Sequence, residues 1–179
     1  MAKMIVVNEQ RCLGCRTCVL ECAMAHTEAR SLVEAISART PPQPRVHVEP
    51  AGEFGIPLQC RHCEDAPCMT VCPTEAIHRP SQTGPVLIEP ARCIGCKFCL
   101  LVCPFGVIDM SRDGKVAVKC DLCVRRTEAG EEPACVAGCP TGALEFSDVE
   151  EYLRIRRREA VERLREGRTT AEEGSRRRP

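Results

Sequence analysis

Sixteen cysteines determine which chemistry this chain of 179 residues can perform. They form four groups of four, and the first and third groups share the spacing C-x2-C-x2-C-x3-C. The second and fourth groups keep the opening and closing pairs and lengthen only the middle gap. The groups are Cys12, Cys15, Cys18 and Cys22; Cys60, Cys63, Cys68 and Cys72; Cys93, Cys96, Cys99 and Cys103; and Cys120, Cys123, Cys135 and Cys139. Thiolates at this spacing bind cubane [4Fe–4S] clusters, so the sequence predicts four such clusters.

The spacing within a group has a physical reason. Three cysteines at i, i+3 and i+6 wrap a loop around one cluster, and small residues such as Gly14 and Gly95 let backbone N–H groups approach the sulfurs. The fourth cysteine lies a helical turn further on and faces away. It is therefore expected to bind the other cluster of a two-cluster pair.

Two other uses of cysteine compete with this interpretation. A disulfide-rich domain is expected to follow a secretory signal, and the apolar stretch in residues 1–10 is too short for one. Structural zinc uses two C-x2-C pairs separated by a longer insert. That pattern describes the fourth group taken alone, but not the tight loops of the first and third groups. Four complete sets of four favour iron–sulfur clusters throughout.

The composition argues against several other classes of protein. Tryptophan is absent, and one tyrosine and four phenylalanines are too few for an aromatic core, which bound metal can replace in a small domain. The formal net charge is zero, so nothing indicates nucleic acid or an anionic membrane as a partner. No apolar run approaches the length of a bilayer crossing. We therefore expect a cytoplasmic protein without direct membrane insertion.

The sequence contains no recognisable catalytic constellation. It has no serine–histidine–acid pattern, phosphate-binding loop or dinucleotide fingerprint, so we expect no catalytic residues and no substrate site. Its four histidines are scattered. His62 lies between Cys60 and Cys63, where it could either adjust a cluster potential or play a structural part.

The cysteine groups belong to a longer internal repeat. Residues 11–22 align with residues 92–103, and residues 66–77 align with residues 133–144. We therefore expect an α+β fold over residues 1–147, namely a bacterial ferredoxin fold with two [4Fe–4S] clusters that has been duplicated once. Short cysteine-bearing helices should alternate with short hairpins, and the Asp113-Gly114 step is a strong hairpin signal. The predicted strands are residues 76–79, 86–89, 107–110, 116–118 and 144–147.

Two insertions interrupt the repeat. Ala23 replaces the expected proline, so the first cysteine helix should continue through His26. Residues 27–44 then read as an exposed loop and residues 45–49 as an edge strand. The second insertion is the charged stretch of residues 124–133. Both insertions are either solvated surface or docking loops.

The end of the sequence has a different character. Asp148 is a plausible N-cap of an extra amphipathic helix over residues 148–166, whose apolar face includes Leu153 and Leu164. Residues 167–179 are expected to be a disordered tail.

Together these motifs resemble the iron–sulfur electron-transfer subunits of the DMSO reductase type. The likeness spans residues 4 to about 150 and is carried by residues 11–22, 60–68, 93–104 and 119–123. Within that type it is closest to the small cytoplasmic subunits of carbon monoxide dehydrogenase, formate hydrogenlyase and tungsten aldehyde oxidoreductase complexes. In the nitrate reductase relatives one cluster lacks a cysteine, whereas here all sixteen positions are cysteine.

The resemblance implies a function in anaerobic metabolism. The chain would relay single electrons through four [4Fe–4S] clusters between a catalytic oxidoreductase subunit and a second redox subunit or carrier. The catalytic partner would be a molybdenum or tungsten pterin enzyme, carbon monoxide dehydrogenase or a hydrogenase. A free polyferredoxin that diffuses between its partners is the alternative.

The resemblance also implies which cysteines share a cluster. Groups two and three would exchange their fourth cysteines, and so would groups one and four. Spacing alone leaves open the pairing of group one with two and of group three with four. The implied ligand sets are set 1, Cys12, Cys15, Cys18 and Cys139; set 2, Cys120, Cys123, Cys135 and Cys22; set 3, Cys60, Cys63, Cys68 and Cys103; and set 4, Cys93, Cys96, Cys99 and Cys72.

Overall fold

A computed structural model describes residues 3–52 and 54–175, with the backbone alone for Phe54 and residues 166–175. The chain forms two compact units. One is Met4–Phe146, and the other combines Met1–Lys3 with Ser147–Pro179. The first unit contains all sixteen cysteines.

Short helices and two-stranded sheets make up the structure. The strands are β1 (Lys3–Val7), β2 (Val46–Ala51), β3 (Phe54–Gln59), β4 (Ile77–His78), β5 (Leu87–Ile88), β6 (Asp109–Met110), β7 (Ala117–Val118) and β8 (Leu144–Asp148). The α-helices are α1 (Thr17–Ala25), α2 (Leu32–Ser37), α3 (Pro67–Thr70), α4 (Phe98–Val102), α5 (Val124–Glu128), α6 (Ala134–Ala137) and α7 (Val149–Ser175). Two 3-10 turns, Glu9–Arg11 and Pro90–Arg92, each end just before the first cysteine of a repeated group.

The strands pair as β1 with β8, β2 with β3, β4 with β5 and β6 with β7. The antiparallel pairs β4–β5 and β6–β7 confirm the two predicted hairpins. In the second hairpin Gly114 takes a φ of 72°, and the Asp113 carboxylate accepts a hydrogen bond from the Lys115 amide at 3.2 Å. Both features are typical of a tight turn. The predicted edge strand is longer than expected, since β2 pairs with all six residues of β3.

The first unit contains two hydrophobic cores. One is built around Ile5, Val46 and Leu144, and the other around Ile77, Val86 and Ile108. Buried cysteines belong to both cores, and the buried members of neither core include an aromatic residue. Because aromatic residues are scarce in the sequence, the buried parts of both cores consist of aliphatic side chains and thiols.

The first insertion is more ordered than predicted. α1 continues past Cys22, as expected from the absence of proline, but it ends at Ala25, and the expected last residue, His26, is its C-cap. The expectation of a plain loop over residues 27–44 is wrong, because α2 lies inside it. The Ser31 side chain accepts a hydrogen bond from the Glu34 amide at 3.2 Å, and the Glu34 carboxylate accepts one from the Arg30 amide at 2.9 Å. This is close to a capping box, in which side chains satisfy the free N–H groups at a helix start.

The second unit contains the long helix α7. As predicted, the Asp148 carboxylate accepts hydrogen bonds from the amides of Glu150 and Glu151, at 3.0 and 3.3 Å. The helix continues to Ser175, so residues 167–175 are helical and not the disordered tail that was expected; residues 176–179 lie outside the described residues. Alanine, arginine and glutamate favour a helix, and each glycine costs it only about 1 kcal/mol. In the part of the chain that the structure covers, no helix has both the length and the apolar character that a membrane crossing requires.

Candidate iron–sulfur sites

Three cavities of similar size are each lined by four cysteines. The empty space, with adjoining open solvent included, is about 340 Å³ at set 3, about 340 Å³ at set 4 and about 310 Å³ at set 1. In each cavity three cysteines come from one group and the fourth from a distant group. The distant cysteines are Cys103, Cys72 and Cys139, respectively. Each cavity thus brings together the same four residues as one of the expected sets.

The four cysteines of set 2 are buried together. Cys22, Cys120, Cys123 and Cys135 are all buried. Burial raises the pKa of the Cys135 thiol, and the neighbouring thiols of Cys120, Cys22 and Cys123 raise it further. Mutual effects of this kind require the four sulfur atoms to lie near one another.

Backbone amides approach the first sulfur of two groups. The His62 amide donates to Sγ of Cys60 and the Leu122 amide to Sγ of Cys120, both at 3.4 Å. His62 and Leu122 occupy equivalent positions, and both have a left-handed backbone, with φ of 49° and 58°. The two loops therefore share one conformation that turns an N–H group back toward sulfur.

This donor set fits an iron–sulfur cluster. Cysteine sulfur is the usual ligand of [4Fe–4S] clusters, and N–H groups near sulfur stabilise their negative charge. His62 lines the cavity at set 3; otherwise no histidine, aspartate or glutamate is among the described residues that line these three cavities. The cavities thus offer four sulfurs each and few of the oxygen and nitrogen donors that other metals take.

The thiols differ in their proton affinity. Burial raises the pKa of Cys18 and of Cys99 to about 11 and that of Cys120 to about 12. At the surface, a hydrogen bond from the Thr17 hydroxyl, 3.4 Å from Sγ, lowers the pKa of Cys15. Because metal binds the thiolate form, loading must release the protons of the buried thiols.

A charged network lies beside Cys22. The Arg45 amide donates to Sγ of Cys22 at 3.2 Å, and the Arg45 guanidinium pairs with the Asp121 carboxylate at 2.6 Å. The same carboxylate lies 3.0 Å from Nε2 of His26, whose Nδ1 lies 2.7 Å from the Cys22 carbonyl oxygen. Burial lowers the pKa of His26, but its hydrogen bonds to Asp121 and Cys22 outweigh burial and raise it to about 9.

Two of the sixteen cysteines, all of which the structure describes, are exposed. They are Cys15 of set 1 and Cys96 of set 4. An exposed apolar side chain lines the same cavity as each of them: Leu13, 75% exposed, with Cys15, and Ile94, 65% exposed, with Cys96. Sets 1 and 4 are therefore the ones that open most directly to the surface.

Sequence reasoning located the cysteines but not the charged residues around them. Arg45 and Asp121 meet through a contact between distant segments, for which the sequence carries no local signal. Lys119 is buried, which is unusual for a lysine. His62 had been singled out by its position, and its ring contacts the Val86 backbone.

Comparison with known proteins identifies the family. Residues 53–149 match the model of the 4Fe-4S dicluster domain. The chain belongs to this family. It is an iron–sulfur protein of electron transport that binds multiple [4Fe–4S] clusters.

Several curated proteins are similar over most of their length. An iron-sulfur protein of Rhodospirillum rubrum is 42% identical over 168 residues, covering 87% of each chain. The thiosulfate reductase electron transfer subunit PhsB of Salmonella typhi is 40% identical, covering 80% of this chain and 74% of PhsB. The electron transport protein HydN of Escherichia coli strain K12 is 37% identical, covering 80% of this chain and 87% of HydN.

Proposed function

We propose that this chain is the electron-transfer subunit of a cytoplasmic oxidoreductase complex, with four [4Fe–4S] clusters held by sets 1 to 4. The observation that supports the proposal most is that three cavities are each lined by four cysteines, three from one group and one from a distant group. Each bound cluster would supply one-electron redox chemistry. The thiolates hold the clusters, and the surrounding N–H groups and charges set their potentials.

Electrostatic effects between thiols of different sets support a linear order. The thiol of Cys18 in set 1 helps to raise the pKa of Cys135 in set 2. In the same way the Cys60 thiol of set 3 helps to raise the pKa of Cys120 in set 2. The Cys68 thiol of set 3 helps to raise the pKa of Cys99 in set 4. The order 1–2–3–4 places the two exposed cysteines at opposite ends of the series. Such a series suits electron entry at one end and exit at the other.

The equivalent loops support a duplicated ferredoxin fold over residues 1–147, with the α7 segment as an addition. Gly14 and Gly95 have φ of 65° and 67°, and Arg16 and Lys97, two residues later, have φ of 62° and 67°. Equal left-handed positions in two segments that align in sequence are expected of a duplicated unit.

The proposed partner is a catalytic oxidoreductase subunit, of the molybdenum or tungsten pterin, carbon monoxide dehydrogenase or hydrogenase kind, together with a second redox subunit or carrier. The names of PhsB and HydN support a role in electron transfer. The resemblance to the carbon monoxide dehydrogenase and tungsten enzyme subunits remains part of the proposal. The chain itself would have no substrate site.

The ligand sets can be tested with paired alanine variants. The wild-type chain, purified without oxygen, should hold about sixteen iron atoms, four for each cubane. Cys68→Ala with Cys103→Ala removes ligands of set 3 alone and should leave about twelve. Cys99→Ala with Cys103→Ala damages sets 4 and 3 and should leave about eight. Equal losses in the two variants, or stoichiometric zinc in the wild type, would contradict the sets.

The relay can be tested with the catalytic subunit. With that subunit and its substrate, the visible absorption of the oxidised clusters should bleach, whereas the chain alone with substrate should stay oxidised. Bleaching by the chain alone would reveal a substrate site. Co-elution of the two proteins in gel filtration would favour a bound subunit, and separate elution would favour the freely diffusing polyferredoxin.

A further inference from the structure

A lysine is buried in the middle of the first unit. Lys119 is only 4% exposed, and its Nζ donates hydrogen bonds to the carbonyl oxygens of Val86 and, at 3.1 Å, Cys120. Over the residues for which side chains are described, no carboxylate lies within ion-pair distance of this ammonium group. A buried charge without a counter-charge is costly. The protein alone therefore does not explain why a lysine is placed here.

The backbone of Val86 also contacts His62, whose ring contains a buried nitrogen, Nε2, without a hydrogen-bond partner in the described part of the chain. Nδ1 of His62 lies 3.0 Å from the Val86 amide nitrogen and 3.2 Å from the Val86 carbonyl oxygen. Because that carbonyl already accepts from Lys119, we assign Nδ1 as the acceptor of the amide N–H, and in the neutral ring Nε2 then carries the proton. The His62 ring lines the cavity at set 3. An unsatisfied donor at such a place indicates an acceptor supplied by the bound group.

The side chains of Lys119 and His62 both hydrogen-bond to the backbone of one buried residue, Val86. Val86 is 1% exposed, and it accepts from Lys119 through its carbonyl and donates to His62 through its amide. Lys119 immediately precedes Cys120 of set 2. Val86, whose carbonyl accepts from Lys119, lines the cavity at set 3. The Lys119 ammonium group therefore lies next to residues of both middle sets.

We propose that Lys119 is the counter-charge of the clusters in sets 2 and 3 and that Nε2–H of His62 donates a hydrogen bond to sulfur of the cluster in set 3. This inference rests on the proposed ligand sets. A thiolate-ligated [4Fe–4S] cluster is negatively charged and becomes more so on reduction, so a fixed cation and an N–H donor favour the reduced form. Lys119 therefore raises the reduction potentials of both middle clusters, and His62 raises that of the cluster in set 3. They position and tune the clusters and are not ligands.

Lysine variants test the counter-charge. In Lys119→Met, redox titration followed by EPR should show two of the four clusters with lowered midpoint potentials. Lys119→Arg keeps the charge and should restore both potentials toward the wild-type values. Lys115→Met removes a lysine whose side chain is 81% exposed and should shift none of the clusters, because water screens an exposed charge. Unchanged potentials in Lys119→Met, with iron content intact, would overturn this part of the inference.

A histidine variant tests the donor without removing a charge. His62→Asn can still accept from the Val86 amide in place of Nδ1, and asparagine tolerates the φ of 49° at this position. It lacks the group at Nε2, so the potential of one cluster should fall, and that cluster should be one of the two that Lys119→Met shifts. His78→Asn, on β4, is the matched control and should leave all four potentials in place.

The outcomes separate the two proposals. Four clusters with unchanged potentials in both His62→Asn and Lys119→Met would refute the tuning role and leave the ligand sets standing. A shift of a third cluster, or of different clusters in the two variants, would also refute it. Should Lys119→Met fail to fold, Lys119→Gln replaces it, because its amide can still donate a hydrogen bond but carries no charge; unchanged potentials in that variant would refute the counter-charge. Wild-type iron well below about sixteen atoms would refute the ligand sets instead.

Discussion

Gly95 lies in the loop of the third cysteine group with a φ of 67°. A Cβ atom at this position would lie 2.6 Å from the Lys115 carbonyl oxygen, closer than such atoms can approach. Gly106 is a matched position, since its φ is 60° and a Cβ atom there would meet nothing within 4 Å. The two glycines therefore separate the cost of a left-handed backbone from the cost of a clash beside a cluster loop.

We expect Gly95→Ala to lose the set 4 cluster, about four iron atoms per chain, because the loop must move away from the Lys115 backbone. Gly106→Ala should keep all its iron and lose only the roughly 1–2 kcal/mol that a left-handed L-residue costs. Iron analysis of both variants after anaerobic purification checks the difference. A full iron content in Gly95→Ala would mean that the loop can shift away from the Lys115 backbone without losing the cluster.

Residue types at the sites were predictable to different degrees. The cysteines carry a local signal, because ligand spacing is set by the loop that wraps the cluster. The side chains of Lys119 and His62 are positioned by hydrogen bonds to the backbone of Val86, which lies 33 and 24 residues away in the sequence. Arg45 likewise reaches Asp121 from the far side of the first insertion. Such contacts depend on tertiary packing and leave no pattern in neighbouring residues.

Among the elements, the two short hairpins were predicted, whereas β1, β3 and α2 were not. The hairpins β4–β5 and β6–β7 follow from turn residues between two short apolar runs. β1 was not predicted, because its partner β8 lies near the other end of the first unit. β3 contains Gly55 and Pro57, residues that weaken a strand prediction, although Pro57 pairs opposite Val48 in the sheet. α2 was missed despite a readable signal, Ser31 followed by Glu34.

The capping of α2 can be tested directly. Ser31→Ala removes the side chain that accepts from the Glu34 amide, and N-cap losses of this kind cost about 1 kcal/mol. Ser37→Ala, at the last residue of α2, is the control and should have little effect. Hydrogen exchange of the α2 amides should accelerate in Ser31→Ala alone. Iron content should remain unchanged in both variants, since neither serine lies in a cysteine group.

For the whole molecule, the question is which part docks the partner. The candidates are residues 27–44, residues 124–133 and α7, whose surface carries i,i+3 ion pairs such as Arg156–Glu159 at 3.0 Å. We expect deletion of residues 148–179 to leave the iron content intact, because all sixteen cysteines precede it. The same deletion should weaken binding to the catalytic subunit, which can be measured by calorimetry or by co-elution.

Two other outcomes of this deletion are informative. Loss of iron would mean that the second unit is needed for the first unit to fold. Unchanged binding would move the docking surface to the insertions or to the apolar side chains near the exposed Cys15 and Cys96.

The pairing of β1 with β8 has a consequence for how the protein is made. β1 leaves the ribosome before β8, and its backbone stays unpaired until β8 has been made. The Asn8 amide likewise waits for the Ala143 carbonyl, to which it donates at 2.8 Å. The hairpins β4–β5 and β6–β7 lie between them and need no later sequence. The middle of the chain can therefore mature during synthesis, while β1 can pair only after β8 has been synthesised. The nascent chain thus exposes the thiols of its first cysteine group for the longest time, and these are the ones most in need of protection from oxidation before assembly.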